Sequence, residues 1–314
     1  MIEVSRRLRF GTRGSPLALW QTEHVCERLR ETFPALSIET VVIKTSGDKI
    51  LDVPLARIGD RGLFVKEIEQ ALLANEIDVA VHSLKDLPTH TPPGLMIGAV
   101  MEREDPRDCL ISERYACLAK MPPGAVVGTS SLRRRAQLQR AYPALRFEDV
   151  RGNLQTRLAK LDNGHYDALI LAVAGLKRLG FEGRIREIIS PSICLPAVGQ
   201  GVLAVECRAE DIAVLDYLAP LENAATRACV TAERSFLSSL EGGCQVPIGA
   251  HARLEGDVIH LEGLVAALAG NPCLRDRARA PAASAVVLGE TLAHTMKVHG
   301  AEKILQDARD EFGG

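Results

Sequence analysis

Val127-Gly128-Thr129-Ser130-Ser131-Leu132-Arg133-Arg134-Arg135 decides the fold. A short β-branched run ends in a glycine and three hydroxyl residues, then passes into a helical pattern. Strand, polar turn and helix in that order are one step of an α/β unit. Ala125 to Thr129 reads as the strand and Ser131 to Arg140 as the helix. The guanidiniums fall in the first helical turn. Cations are disfavoured there, because the helix N-terminus already carries partial positive charge and unpaired N–H groups. An anion completing the site would resolve the conflict. A solvated basic helix face is the plain alternative.

The same alternation extends in both directions. Leu8 to Gly11 reads as a strand, Pro16 to Thr32 as a helix with Leu17, Trp20, His24 and Leu29 facing inward, and Ile38 to Ile43 as a second strand. Leu63 to Leu73 is a helix and Asp78 to Val81 a short buried strand. Beyond the arginine run, Asn153 to Leu161 is helical, while Asp167 to Ala172 and Val202 to Cys207 read as strands. Gly199-Gln200-Gly201-Val202-Leu203-Ala204 formally matches a dinucleotide fingerprint, but strand-like residues follow where that site needs a helix.

From Leu221 to Leu240 a long helical stretch opens a different region. Alternating runs at Ile248 to Leu254 and Val258 to Leu264, then helices near Val286 to Val298 and Ala301 to Phe312, predict a smaller α+β domain. Between Thr45 and Arg61 lies a long polar connection, of a length usual for a mobile lid or a disordered segment.

Composition bounds the function. The chain has 314 residues with 46% hydrophobic and 25% charged, which suits two or three soluble domains. Net charge is −2 and aromatics are 4%, so the arginines are a local feature. A nucleic-acid binder would carry a basic excess and stacking platforms. No apolar run approaches membrane-spanning length, and the N-terminus lacks a signal-peptide core. The eight cysteines show neither Cys-x-x-Cys pairs nor histidines at metal-ligand spacing. A cytoplasmic protein without metal is the expectation.

Four segments are suited to anions. Gly11-Thr12-Arg13-Gly14-Ser15 precedes the Pro16 helix, His82-Ser83-Leu84-Lys85-Asp86 follows a strand, and the arginine run is followed by Arg151 and Arg157. Four such segments in a nearly neutral chain point to a cleft for a polyanion. Asp86 is the acid among these cations, and a turn aspartate before Leu87-Pro88 is the alternative reading. Functionally, it would stabilise developing positive charge and move a proton. Cys244 follows Gly242-Gly243, which let the backbone approach a bulky group. It is the best candidate among the eight for covalent attachment, against the alternative of a small buried hydrophobe.

Read in order, these segments resemble the porphobilinogen deaminase family. The match runs through Gly11 to Ala18, Lys44 to Asp48, His82 to Asp86, Val127 to Arg134, Val150 to Asn153, Leu195 to Gly201 and Glu241 to Cys244. Beyond His251 it is general only. The resemblance implies two periplasmic-binding-protein-like α/β domains and a smaller C-terminal α+β domain. Their boundaries are 1–101 with 202–219, 107–195 and 224–314. It implies a dipyrromethane cofactor joined by a thioether to Cys244. On this primer four porphobilinogen units would be added head to tail with loss of ammonia, and hydrolysis would release the linear tetrapyrrole. Asp86 would be catalytic. Arg13, Ser15, Ser83, Lys85, Thr129, Ser131, Arg133, Arg134, Arg151, Arg157, Arg178 and Gln200 would bind cofactor and substrate. Asp48, Arg61 and Phe64 would belong to the lid. Arg61 stands where the family commonly has lysine, and Arg135 lies just past the matched pair. Porphobilinogen is the expected partner, with no nucleic acid or membrane, and the expected state is a monomer. A non-catalytic anion receptor on the same scaffold is the main rival; it needs neither Asp86 nor Cys244.

Overall fold

The computed structural model describes residues 7–49, 65–240 and 246–313, without the side chains of Asp48, Lys49 and 311–313. Arg61, Phe64, the Asp48 side chain and Cys244 therefore lie outside the described residues. In chain order the first elements are β1 (Arg7–Thr12), α1 (Pro16–Thr32), β2 (Ser37–Val42), α2 (Ser46–Lys49), α3 (Lys66–Leu73), β3 (Val79–Ser83) and β4 (Leu95–Val100). Next come β5 (Asp108–Ile111), β6 (Val126–Gly128), α4 (Leu132–Ala141), β7 (Arg146–Glu148), α5 (Leu154–Asp162), β8 (Ala168–Ala172), α6 (Val173–Arg178) and β9 (Ile185–Ile188). The chain continues through β10 (Leu203–Arg208), α7 (Ile212–Leu218), α8 (Ala224–Ser239), β11 (Ile248–Glu255), β12 (Val258–Ala266), β13 (Cys273–Pro281), α9 (Ala285–Val298) and α10 (Ala301–Gly313).

Among the described residues, one compact unit is drawn from 7–49, 65–103 and 202–227, and a second from 104–201, 228–240 and 246–313. The first holds a five-stranded sheet of order β2-β1-β3-β10-β4, with β1 parallel to β2 and β3 and with β10 antiparallel between β3 and β4. The second holds a sheet of the same plan, β7-β6-β8-β5-β9, in which β5 is the antiparallel strand. It also holds the three-stranded antiparallel sheet β11-β12-β13. Two α/β sheets and a smaller α+β region agree with the mixed architecture that the resemblance implied.

The two α/β sheets share a local device. An aspartate just before the central strand of each sheet, β3 or β8, bonds the neighbouring parallel strand, β1 or β6: Asp78 Oδ2 accepts from Arg9 N at 2.9 Å, and Asp167 Oδ2 accepts from Val126 N at 2.7 Å. Arg9 and Arg208 close on Asp78, and Arg114 pairs with Asp167. Burial works to raise the Asp78 pKa, but bonds from Arg9 and Arg208 outweigh it and hold the carboxyl at about 2, below the ordinary 3.8. A depressed folded-state pKa gives stability that is present above the unfolded value and lost as pH falls through the folded one. Asp78→Asn should therefore cost roughly 2 kcal/mol at neutral pH. The gap from the parent should close as pH falls from about 4 to 2, as followed by urea unfolding. A gap independent of pH would exclude the charge as its cause.

Helix α1 spans the stretch expected, with Ser15 accepting from Ala18 N at its start and Pro16 in the first turn. Its inward face differs from the expected one. Gln21, Thr22, Val25, Cys26 and Leu29 are buried, whereas Trp20 is 37% exposed and stacks on His24. The buried polar Gln21 donates to Ser83 Oγ at 2.8 Å, which turns the helix toward the end of β3. Strand β13 went unread because its alternation is Arg275, Arg277 and Arg279 against Leu274, Ala278 and Ala280. Small alanines pack on the C-terminal core and leave little hydrophobic contrast. The hairpin between β12 and β13 closes on α4. A Cβ at Gly270 would lie 2.5 Å from the carbonyl oxygen of Ala136, and its φ of +85° also favours glycine.

Candidate active site

In the first unit, β1 and β3 are neighbouring parallel strands, so the loops at their carboxyl ends converge. Arg13 and Ser15 follow β1; Ser83 ends β3, and the turn Leu84–Asp86 carries Lys85 and Asp86. Arg13, Ser15, Gln21, His82, Ser83 and Asp86 line one concave site, with Leu17, Val65 and Ile68 among its apolar walls. Asp86 is exposed, Ser83 and Lys85 half-buried. Distance in sequence had separated these groups, and parallel pairing brings them together.

In the second unit the arginine run meets an acid that sequence reading passed over. Arg133 and Arg134 occupy the first turn of α4, after Ser131, whose Oγ accepts from Arg134 N. Both guanidiniums turn inward onto Asp108 at the start of β5. Arg133 Nη1 lies 2.7 Å from Oδ2, while Arg134 Nε and Nη2 lie 3.0 and 2.8 Å from Oδ1. Gln200 Nε2 donates to the same Oδ1 at 2.9 Å, and the Cys194 thiol to Oδ2. Arg133 also donates to Leu195 O, and Arg134 to Ile170 O. Asp108 is 0% exposed and Arg133 5%. Burial pushes the Asp108 pKa up, yet the two arginines hold the carboxyl well below the usual range. The anion expected at this helix start is thus partly internal. Asp108 heads the apolar run Cys109-Leu110-Ile111, and an acid at such a place was its one sequence signal.

One carboxylate against two guanidiniums leaves a positive charge in excess. Among the described residues Arg133 Nε has no hydrogen-bond partner. Buried charges are stable when paired, so this cluster fits an added carboxylate. Asp108→Asn would leave two buried guanidiniums uncompensated. It should cost about 3–5 kcal/mol of unfolding free energy, read by urea denaturation. A loss below about 1 kcal/mol would refute the pairing as a stabilising contact.

The hydroxyls serve mainly local structure. Thr129 Oγ1 accepts from Ser131 N, and Ser130 Oγ bonds both N and O of Val150, setting Arg151 beside the arginine run. Arg157 Nε donates to Gly152 O on the first turn of α5. Arg178, at the end of α6, donates to Gly201 O at 2.7 Å, next to Gln200. Burial holds its pKa down to about 10, with Glu104 acting in the opposite sense. Arg135 is exposed. Burial also raises the thiols of Cys26, Cys109 and Cys194 to about 12 and that of Cys207 to about 11, so these are poor nucleophiles. Among the described residues there is no metal-ligand cluster, and no helix is long and apolar enough to cross a membrane.

An acid in a concave strand edge and a buried cation excess are the charged features of this α/β protein. Comparison with known proteins gives the class a family. Residues 8–216 match the family described as "Porphobilinogen deaminase, dipyromethane cofactor binding domain", and residues 227–298 match "Porphobilinogen deaminase, C-terminal domain". The porphobilinogen deaminase of Synechococcus sp. (strain RCC307) is 55% identical over 301 residues, covering 95% of each chain. That of Methylobacillus flagellatus is 50% identical over 304 residues, covering 97% of this chain and 98% of its own. Among solved structures, a putative methionine-binding lipoprotein from Bacillus subtilis has 13% identity and a TM-score of 0.45, covering 68% of this chain and 89% of that one. The chain belongs to the porphobilinogen deaminase family. It is a deaminating transferase of tetrapyrrole biosynthesis whose cofactor is a dipyrromethane.

Proposed function

We propose that this enzyme joins four porphobilinogen molecules head to tail into hydroxymethylbilane on a dipyrromethane held through Cys244. The observation that carries this reading is the Arg133–Asp108–Arg134 cluster, with one buried positive charge in excess and an unpartnered Nε on Arg133. Pyrroles bearing acetate and propionate supply the missing anions. Arg133 and Arg134 would hold cofactor carboxylates, with Thr129, Ser131, Arg151 and Gln200 around them. When bound, the dipyrromethane supplies the pyrrole carbon to which the first substrate is joined. Arg157 and Arg178 would meet the longer chain.

Asp86 supplies the acid–base step. Each addition breaks the aminomethyl C–N bond, releases ammonia, forms one C–C bond and expels one ring proton. Loss of ammonia leaves the substrate as an electron-poor methylene pyrrolenine with positive charge at its nitrogen. A carboxylate beside that nitrogen stabilises the charge and carries the proton. Asp86 stands in the concave site with Arg13, Ser15 and Ser83, which can orient substrate carboxylates. The lid role of Asp48, Arg61 and Phe64, the three domains at 1–101 with 202–219, 107–195 and 224–314, the monomeric state and the cytoplasmic location belong to the same proposal. The test is the intact mass of the denatured parent. A dipyrrole adduct is expected; a bare polypeptide that still makes tetrapyrrole would overturn the covalent primer, and a bare inert one would favour an anion receptor.

A further inference from the structure

Beneath the concave site of the first unit lies a buried ionisable pair that the chemistry above does not use. His82, on β3, faces Glu206, on β10, with Nε2 3.1 Å from Oε2. The side chains are 5% and 1% exposed. On their own face of the strands the paired residues are Ala80 and Ala204, both fully buried. Among the described residues each side chain is the other's only hydrogen-bond partner. An apolar pair would fill this place at lower cost, since burying a carboxylate with a single partner is unfavourable. Glu69, on α3, stands close enough that Glu206 raises its pKa, after burial, and His82 lowers it. A second acid nearby makes an uncompensated charge on Glu206 costlier still.

The proton count decides what the ring offers. Two of the neutral arrangements are imidazolium with carboxylate and neutral imidazole accepting from the carboxylic acid. In both, the nitrogen not facing Glu206 carries a hydrogen. It is bare only where a neutral ring donates to Glu206 from Nε2. His82 lines the same concave site as Arg13, Ser15 and Asp86.

We infer that His82 is a substrate-positioning residue, holding its Nδ1–H for a carboxylate of the porphobilinogen in this site while Glu206 shares the proton on Nε2. The inference rests on the activity proposed above and assigns that site a donor besides Arg13. Glu206 acts through His82 and touches no substrate.

The experiment uses holoenzyme whose adduct is verified by intact mass, and reads the porphobilinogen concentration that half-saturates addition of the first pyrrole. His82→Leu should raise this concentration at least tenfold and leave the saturated rate within about threefold. His82→Gln, which can still donate, should recover most of the loss. Glu206→Leu should weaken binding, and His82→Leu with Glu206→Leu should be no worse than His82→Leu alone. An analogue with methyl in place of acetate, or of propionate, should bind the parent weakly for one of the two positions and suffer no further loss in His82→Leu. Unchanged half-saturation in a less stable His82→Leu would reduce the pair to a core contact and overturn the inference. So would a fall in saturated rate alone, or additive effects in the double variant. Should His82→Leu fail to fold, His82→Gln and Glu206→Leu decide by the same readout. A parent that adds no pyrrole at any concentration sinks the activity itself, a result distinct from saturation indifferent to His82.

Discussion

Replacing Cys244 with alanine should give a folded protein that lacks the dipyrrole adduct and forms no tetrapyrrole. The flanking residues explain why folding survives. Leu240 and Val246, on either side of the segment that carries Cys244, are buried in the C-terminal core with Phe236, Ile248 and Leu292. These described residues supply the core on both sides of that segment. Function needs the thiol, because a thioether cannot form at alanine, and Cys26, Cys109, Cys194 and Cys207 are held protonated by burial. Intact mass and product absorbance check both halves. An adduct found on the alanine variant, or turnover without one, would refute the assignment.

Asp86→Asn comes next in size. Asparagine keeps the shape and loses both the charge and the capacity to carry a proton. Because Asp86 is exposed and lies on a short turn, the substitution should leave stability nearly unchanged. The rate of pyrrole addition should fall by about 10²-fold or more, the usual range for losing a positioned general acid–base group. Single-turnover mass profiles separate this from a binding defect: primer present, first addition slow at any substrate concentration. A variant within a few-fold of the parent would remove Asp86 from the chemistry.

Much of the scaffold is legible in the chain because its signals are local. Ser15-Pro16 fixes the start of α1, Ser131 that of α4 and Asn153 that of α5; each cap accepts from a backbone N–H three residues on. What escapes is long-range. Gln21 looks like a surface residue until Ser83, 62 residues away, explains its burial. Asp108 has no neighbour in sequence that betrays Arg133 and Arg134, 25 and 26 residues on. The candidate site divides the same way. Arg13, Ser83, Asp86 and the arginine run are readable as polar ends of strands, whereas the acid that turns two arginines inward is set by tertiary pairing alone. The pair His82 and Glu206 falls between: the histidine sits in a readable motif, but its partner is 124 residues distant.

The place of β10 has a consequence for the growing chain. This strand lies between β3 and β4, yet it is made about a hundred residues after them, once β5 to β9 have already emerged. The second sheet draws its five strands from one uninterrupted stretch and can close as it leaves the ribosome. The first must wait for Leu203–Arg208, roughly 5–20 s at ordinary rates of synthesis. During that interval β3 and β4 have no strand to join them, and two apolar edges await an insert. Of the two five-stranded sheets, the one beside Asp86 is begun first and finished last.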